Sequence, residues 1–154
     1  MKKTEITFIG LNFAPEDSAI GLYSSEWVNQ LESDGHNVTV VTGFPYYPQW
    51  SVFKQYKNKP RLLQEYIGGT KILRYRQYVP KAPTFFKRIV HIIDFTVGSL
   101  FNLFKIKKCD LVIAVVPFTT SAFLGWIQKK GFNSKFWIHI QDFELDAALQ
   151  SKKE

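Results

Sequence analysis

A histidine, a glutamine and several acidic residues near the end of the chain could transfer protons or bind hydroxyl groups. These residues are His139, Gln141, Asp142, Glu144 and Asp146. His139 lies within an apolar run, and the others follow it. The apolar run over 136–140 has the length and composition of a buried strand. Ligands of open parallel α/β sheets bind beyond the carboxyl ends of the strands, so side chains placed there could act on a substrate. Alternatively, one of the acids caps a following helix, because a carboxylate stabilises the positive end of the helix dipole.

The composition indicates one basic domain with a sizeable core. The chain has 154 residues, of which 45% are hydrophobic and 16% aromatic, which argues against disorder. Its formal net charge of +7 indicates an anionic partner, such as a phosphorylated substrate or an acidic lipid surface. Nucleic acid is disfavoured as a partner, because the basic residues are scattered and no zinc-finger, RNP or KH motif occurs.

A cytoplasmic location is expected. Lys2 and Lys3 precede only a short apolar run without a small-residue cleavage site, so no signal peptide is predicted. The one cysteine, Cys109, excludes an internal disulfide and is typical of a reducing compartment. The histidines at 36, 91 and 139 have no metal-ligand spacing among themselves or with Cys109, so no metal site is predicted.

Apolar periodicity predicts strands that alternate with helices. Strands are predicted over 6–11, 38–42, 71–75, 110–116 and 136–140, and helices over about 20–33, 84–107 and 119–130. The first helix is expected to bury one face, formed by Ile20, Tyr23, Trp27, Val28 and Leu31. The segment 43–69, with its prolines and paired glycines, is predicted to lack regular structure. This alternation favours an α/β fold with a Rossmann-like parallel sheet and helices on both faces.

Two loops are candidates for substrate binding. Tyr46, Tyr47 and Trp50 lie in a proline-rich stretch, where their rings could stack on a sugar or fold back onto the core. The loop over 12–21 follows the first strand, and in Rossmann-like folds this turn approaches phosphate groups. The GxGxxG fingerprint is absent from it, which argues against a nicotinamide or flavin site. An ordinary turn, with Ser18 capping the helix, is the alternative interpretation.

The long predicted helix over 84–108 has an unusual distribution of side chains. Polar residues recur every three or four positions and form one narrow stripe, while almost every other residue is apolar. The stripe contains Arg88, His91, Asp94, Gly98, Asn102 and Lys105. Polar groups in each turn make a membrane-spanning helix improbable. Either the helix is sandwiched between two elements, or one side packs on the sheet while the other rests on an anionic membrane surface.

Segments from nearly the whole chain resemble, in order, the N-terminal domain of a retaining glycosyltransferase of the glycosyltransferase-B architecture, a two-domain Rossmann-like enzyme. These segments are 15–23, 45–50, 78–81, 115–117 and 139–146. The likeness is greatest to enzymes of bacterial exopolysaccharide assembly, in particular the colanic acid fucosyltransferase type. In such enzymes the N-terminal domain holds the sugar acceptor, the C-terminal domain binds most of the nucleotide-sugar donor, and a metal is usually not needed.

The resemblance also implies roles for individual residues. His139 and Asp142 would line the cleft and are the first candidates for orienting hydroxyl groups or transferring protons. The other predicted substrate-binding residues are Pro15, Glu16, Gly21, Tyr46, Tyr47, Trp50, Gln141, Glu144 and Asp146. The implied substrates are a nucleotide sugar and a lipid-linked glycan, and no cofactor is expected.

The prediction is therefore a single domain over 1–154 that forms the acceptor side of a glycosyltransferase. Because the sequence contains no donor-binding half, we expect this chain alone to transfer no sugar. The missing half would be the remainder of a longer polypeptide or a separate chain. Two alternatives stay open: a non-catalytic membrane-recruiting subunit that partners a separate donor-binding chain, and an unrelated flavodoxin-like nucleotide-binding domain.

Overall fold

The fold is a six-stranded sheet with helices on both faces. The computed structural model describes residues 3–17, 19–116 and 119–141. Its strands are β1 Glu5–Ile9, β2 Asn37–Gly43, β3 Leu62–Ile67, β4 Thr70–Tyr75, β5 Leu111–Val116 and β6 Lys135–Ile140. Its helices are α1 Ala19–Ser33, α2 Phe85–Leu103 and α3 Thr119–Phe132, with a short 3-10 helix at Lys54–Tyr56. The predicted α/β class is confirmed.

The order of the strands defines where a ligand would bind. The order across the sheet is β3-β4-β2-β1-β5-β6, and neighbouring strands are parallel except for β3 with β4. The chain moves outward from β1 through β2 to β4, and then crosses back to β5 and β6. Open α/β sheets bind ligands where the order reverses, which is here beyond the carboxyl ends of β1 and β5. We call the segments 10–17, 44–53 and 76–84, together with residue 141, the carboxyl edge.

Two apolar cores lie on opposite faces of the sheet. Phe8 and Val40 join Val28 of α1 in one core, whereas Ile9 and Val41 join residues of α2 and α3 in the other. Successive residues of β1 and β2 thus enter different cores. Because helices cover both faces, β1 and β2 carry apolar side chains toward both cores and consist mostly of apolar and β-branched residues, which explains why their sequences predicted them well.

The segment 43–69 was predicted to lack regular structure, and this prediction is wrong. It contains β3, which pairs antiparallel with β4 so that Leu62 lies opposite Tyr75 and Ile67 opposite Thr70. A turn at Gly68, with φ of +60°, joins the two strands. β3 lies at the edge of the sheet and has no fully buried residue, so its sequence lacks the apolar pattern that marks the central strands.

The buried face of α1 differs by one residue from the prediction. Val28 is buried, and Ile20, Trp27 and Leu31 pack against the same core, but Tyr23 is exposed. Ser24 is buried instead. By helical periodicity, position 24 falls near the middle of the stripe formed by positions 20, 27, 28 and 31, whereas position 23 falls at its margin.

The orientation of α2 is the reverse of that of an ordinary surface helix. From His91 onward its polar stripe faces inward: His91, Gly98 and Asn102 are buried and Asp94 is partly buried, whereas Arg88 is exposed. Apart from Lys87 and Arg88, the exposed positions of the helix are apolar, and we call these apolar positions, with the C-cap residue, the outward face of α2. They are Phe85, Phe86, Ile89, Val90, Ile93, Val97, Phe101 and Phe104. None of the helices in the described ranges has the length and continuous apolar sequence needed to cross a bilayer.

Hydrogen bonds explain why the polar stripe faces inward. Asp94 accepts bonds from the Tyr75 hydroxyl at 3.0 Å and from the Tyr78 backbone N–H at 2.6 Å. His91 Nδ1 contacts the backbone carbonyl of Tyr78. Both partners lie at or after the end of β4, so these bonds hold α2 against the carboxyl edge through its polar side.

Phe95 and Phe101 test this orientation of α2, because Phe95 is 0% exposed and Phe101 is 59% exposed. We expect Phe95→Ala to lower the free energy of unfolding by about 3–5 kcal/mol, because it leaves a cavity in the core. Phe101→Ala should change it by less than about 0.5 kcal/mol. Chemical denaturation of both variants measures the difference. Equal losses would contradict the observed orientation.

Candidate substrate-binding site at the carboxyl edge

Short hydrogen bonds join the three loops of the carboxyl edge. The loop over 10–17 is bonded to the end of β2 through the Gly43 N–H, which donates to the Leu11 carbonyl at 3.1 Å. The Gln77 side chain bonds both backbone groups of Phe44, at 2.8 and 3.0 Å. A Cβ atom on Gly43 would lie 2.8 Å from the Gln77 amide, so glycine is needed for this close approach. The loops therefore form one connected surface.

Glu16 is the residue that ties the first of these loops to the second. Its side chain is only 3% exposed. One carboxylate oxygen accepts bonds from the backbone N–H groups of Tyr46, at 2.8 Å, and Tyr47, at 3.0 Å. The other accepts a bond from the Asn12 amide at 2.9 Å. Glu16 was predicted as a substrate-binding residue, but both of its carboxylate oxygens accept hydrogen bonds from groups within the protein.

Burial raises the pKa of the Glu16 carboxyl above its ordinary value. The backbone donors of Tyr47 and Tyr46 oppose this shift because they stabilise the charged form. The Asn12 amide and the positive charge of Arg74 act in the same direction, but burial is the larger effect.

Gly21 lies on the first turn of α1, directly against Glu16. A Cβ atom at position 21 would come within 2.8 Å of the Glu16 Cβ and 3.3 Å of its carbonyl oxygen. The glycine thus permits close packing of α1 on the first loop. Its predicted role in substrate binding stays a prediction, and the packing gives an independent reason for glycine at this position.

Arg74 was not among the residues predicted from the sequence, yet it bonds to the first loop and to the end of β2. It is fully buried within β4, and its Nε donates to Glu65 of β3 at 2.5 Å. Its other nitrogens donate to the carbonyls of Gly43, at 3.0 Å, and Ala14. The signal was present in the sequence: a charged residue inside an apolar strand must find a buried partner. The sequence could not show which residues those partners are.

The aromatic residues of the second loop separate into buried and accessible positions. Tyr46 is buried in the core shared with α2 and α3, and its ring lies 4.7 Å from that of His91. Trp50 packs beside it, 5.3 Å from the Tyr46 ring, and the Arg88 guanidinium lies over the indole. Of the two interpretations of this loop, Tyr46 therefore follows the one in which the ring folds back onto the core. Tyr47 is exposed.

His91 anchors the second loop and was predicted only as part of the polar stripe. Its ring contacts both Tyr46 and Trp50, and its Nε2 is buried without a hydrogen-bond partner among the described residues. Burial lowers the pKa of His91, although the Tyr78 carbonyl and the charge of Asp94 oppose this shift. The neutral imidazole is thus favoured at this position.

His139 lies on β6, next to its last residue, and faces α1. Its ring packs at 4.8 Å from that of Trp27 in an edge-to-face arrangement, and Trp137 contacts the same indole at 5.6 Å. His139 is half-buried. Gln141 follows at the carboxyl edge and donates its backbone N–H to the Val116 carbonyl at 3.1 Å.

Several predicted functional residues lie outside the described residues. They are Ser18, Asp142, Glu144 and Asp146. Pro15 is described and exposed at the surface of the first loop. Over 3–17, 19–116 and 119–141, no group of three or more His, Cys, Asp and Glu side chains is arranged to hold a metal ion.

The sequence is similar to that of a known bacterial protein. Over 147 residues the chain is 38% identical to a protein of Escherichia coli strain K12 described as the colanic acid biosynthesis glycosyl transferase WcaI. The alignment covers 94% of this chain and 36% of that protein, so the chain spans little more than a third of its relative. No protein-family model matches the chain. The predicted resemblance to exopolysaccharide glycosyltransferases is confirmed, and neither alternative function gains support.

Solved structures support the fold. Sucrose-phosphate synthase from Thermosynechococcus elongatus matches with a TM-score of 0.60 at 15% identity, over 91% of this chain and 33% of that one. The catalytic domain of starch synthase IV from Arabidopsis thaliana, bound to ADP and acarbose, matches with a TM-score of 0.62 at 15% identity, over 93% and 35%. The C-terminal domain of a hydrogenase from Pyrococcus furiosus also matches, with a TM-score of 0.55 at 13% identity, over 90% and 92%. At such identities the likeness concerns the fold alone.

The buried carboxyl of Glu16 predicts a pH dependence of stability. Because its pKa is raised in the folded state, its contribution is greatest below the ordinary value of 4.5 and is lost as the pH rises through the raised value. We expect the stability of the wild-type chain, relative to Glu16→Gln, to fall over that interval. Denaturation between about pH 4 and 8 measures it. Glu26→Gln, at an exposed position of α1, is the control, and an equal trend in that variant would refute the assignment.

Proposed function

We propose that this chain, which is related to the glycosyltransferases of bacterial exopolysaccharide assembly, forms the acceptor side of such an enzyme. It would help to transfer a sugar, fucose by the resemblance, from a nucleotide donor to a glycan carried on a polyprenyl-diphosphate lipid. The observation that carries this proposal is the 38% identity over 94% of the chain. The donor-binding half would come from the rest of a longer polypeptide or from a separate chain.

The carboxyl edge supports this role as a preorganised surface. Glu16 and Arg74 bond the first and second loops together, so a substrate would meet loops that need little ordering. Pro15 and Tyr47 are exposed there, and Tyr47 offers an aromatic face on which a sugar ring could stack. We propose that these accessible residues contact the substrate, while Glu16, Gly21 and Tyr46 hold the loops in position.

His139 and Asp142 are the proposed residues for orienting hydroxyl groups or transferring a proton. The location of His139 near the carboxyl end of β6, where the residue is only half-buried, supports this role. Gln141, Glu144 and Asp146 would bind the substrate beside them. The reaction would need no metal or other cofactor, as the resemblance implies for enzymes of this architecture.

Contact with the inner face of the cytoplasmic membrane completes the proposal. The outward face of α2 is apolar and exposed, and exposed apolar patches of this kind mark interaction surfaces. Phe123 and Trp126 of α3, which packs beside α2, are exposed as well. Lys87 and Arg88 lie near the start of α2, and Lys105, Lys107 and Lys108 follow its end. Basic residues flanking an apolar helix surface are suited to anionic headgroups.

A chimaera tests the proposed reaction and the role of His139. This chain replaces the aligned segment of WcaI, and transfer of a labelled nucleotide sugar into lipid-extractable glycan is measured in membranes. We expect the chimaera to transfer sugar and the chain alone to transfer none. His139→Phe should lower transfer about a hundredfold or more, because proton transfer and hydroxyl orientation are lost.

Thermal unfolding of the same variant separates chemistry from packing. Phenylalanine retains an aromatic edge against Trp27, so the unfolding midpoint of His139→Phe should stay close to that of the wild type. Full transfer by this variant would assign His139 to packing alone. A folded chimaera that transfers no sugar would count against the proposed function.

Vesicle flotation tests the membrane contact. We expect the chain to float with vesicles containing phosphatidylglycerol at low salt and to bind them less in about 1 M salt, which screens charge. The double variant Phe86→Ser/Phe101→Ser should lose most binding because it interrupts the outward face of α2. Tyr23→Ser, which removes an exposed ring from α1 on the opposite face of the sheet, should bind as the wild type does. Absence of binding at low salt would refute the contact.

A further inference from the structure

We infer that a groove between α2 and the segment 60–62 binds the hydrocarbon chain of the lipid-phosphate acceptor, with its phosphate beside Arg61. This inference rests on the proposed function and assigns a location to one part of the substrate. The groove has an apolar lining and a polar group at one end, adjoins a basic segment and continues into the outward face of α2.

The groove is open, mostly apolar and large enough for a chain. Its volume is about 570 Å³, within the usual range for small-molecule sites. The apolar lining consists of Pro60, Leu62, Val97, Gly98, Phe101 and the ring of Tyr75. A Cβ atom on Gly98 would lie 2.0 Å from the Tyr75 ring. Glycine at position 98 therefore lets the tyrosine ring lie directly on α2, where it forms one wall of the groove.

A polar group closes one end of the groove. Arg61 Nη2 lies 2.5 Å from the Tyr75 hydroxyl and 3.2 Å from Asp94 Oδ1, and the side chain of Arg61 is largely exposed. A guanidinium has five N–H donors. In the described ranges the hydrogen bonds and the ion pair of the Arg61 side chain involve only Nη2, and its guanidinium lies over the Tyr75 ring, 5.1 Å from the centroid. The remaining donors can therefore bond a phosphate while Asp94 and Tyr75 hold the group in place.

The segment that contains Arg61 is strongly basic. Lys54, Lys57 and Lys59 precede it and are exposed, and no aspartate or glutamate occurs between residues 52 and 64. Such a concentration of positive charge raises the local concentration of anions. The polar end of the groove is thus suited to a phosphate.

The two ends of the groove face different environments. Tyr75 is the last residue of β4, and Asp94 is bonded to the Tyr78 backbone in the loop that follows, so the polar end lies at the carboxyl edge. Val97 and Phe101 come later along α2, which leads away from that edge toward the start of β5. Both also belong to the outward face of α2. A lipid chain would therefore leave the groove along the surface proposed to contact the membrane, while its phosphate stays at the carboxyl edge, beside the end of β4.

Binding of farnesyl phosphate to the purified chain, by equilibrium dialysis without vesicles, tests the inference. We expect saturable binding that Val97→Trp weakens about tenfold, because the indole fills the groove and displaces about two methylene groups of the chain. The matched control is Val90→Trp, since Val90 and Val97 are 52% and 54% exposed on the same helix and only Val97 lines the groove. This control should bind within about twofold of the wild type.

Further arms identify the ligand chemistry. Arg61→Gln, at an exposed position, should weaken the binding of farnesyl phosphate but not that of farnesol. Inorganic phosphate alone should compete poorly with farnesyl phosphate for the chain. The inference is overturned if the folded wild-type chain shows no saturable binding or if both tryptophan variants lose affinity equally. Tighter binding of dihexanoyl phosphatidic acid would also overturn it, because the groove would then belong to a membrane phospholipid.

The binding experiment can fail or succeed independently of the chimaera experiment that tests the proposed function. A chimaera that transfers sugar, combined with a chain that does not bind farnesyl phosphate, would refute the groove and leave the glycosyltransferase proposal intact. Saturable binding that Val97→Trp abolishes, combined with an inactive folded chimaera, would support the groove as a lipid-phosphate site and count against the proposed reaction.

Discussion

The positive charge of Arg74, buried beneath the loops of the carboxyl edge, is the constraint on which this end of the fold depends. Its side chain has no exposed surface, so protein groups must compensate the charge that water would otherwise solvate. Glu65 supplies an opposite charge, and the carbonyls of Gly43 and Ala14 supply further acceptors. Because these partners come from different segments, the compensation of one charge aligns β3, the end of β2 and the first loop with β4.

Glu16 complements this arrangement from the other side. Its carboxylate accepts hydrogen bonds from the backbone N–H groups of Tyr46 and Tyr47 in the second loop. Gly21 lets α1 pack directly on this side chain. The charged groups deepest in the carboxyl edge therefore serve the architecture of the loops. Under the proposed function, contact with the substrate would fall to exposed side chains of these loops and to residues beyond the end of β6, while the buried network holds the loops in place.

The orientation of α2 follows from the same requirement for polar partners. Asp94 and His91 find hydrogen-bond partners at and after the end of β4. If these side chains turned outward, the backbone N–H and carbonyl of Tyr78 would lose their partners on α2. The consequence is an apolar surface that faces away from the sheet. An exposed face of this kind is costly in water unless another phase or partner covers it, which connects the internal bonding of the helix to the membrane contact proposed for this face.

The sequence by itself determined the central strands, the three helices and the α/β class, because apolar periodicity over one element reflects its local burial. It also determined that residues 139 and 141 would lie at or beside the end of a strand. The tertiary structure decided which side of α2 is buried, that β3 exists, and that Glu16 and Tyr46 face inward. It also decided that His139 packs on Trp27. These outcomes depend on partners far apart in the chain: Glu16 and Tyr46 are 30 positions apart and Arg74 and Ala14 are 60, and no local pattern specifies which distant group will satisfy a buried charge.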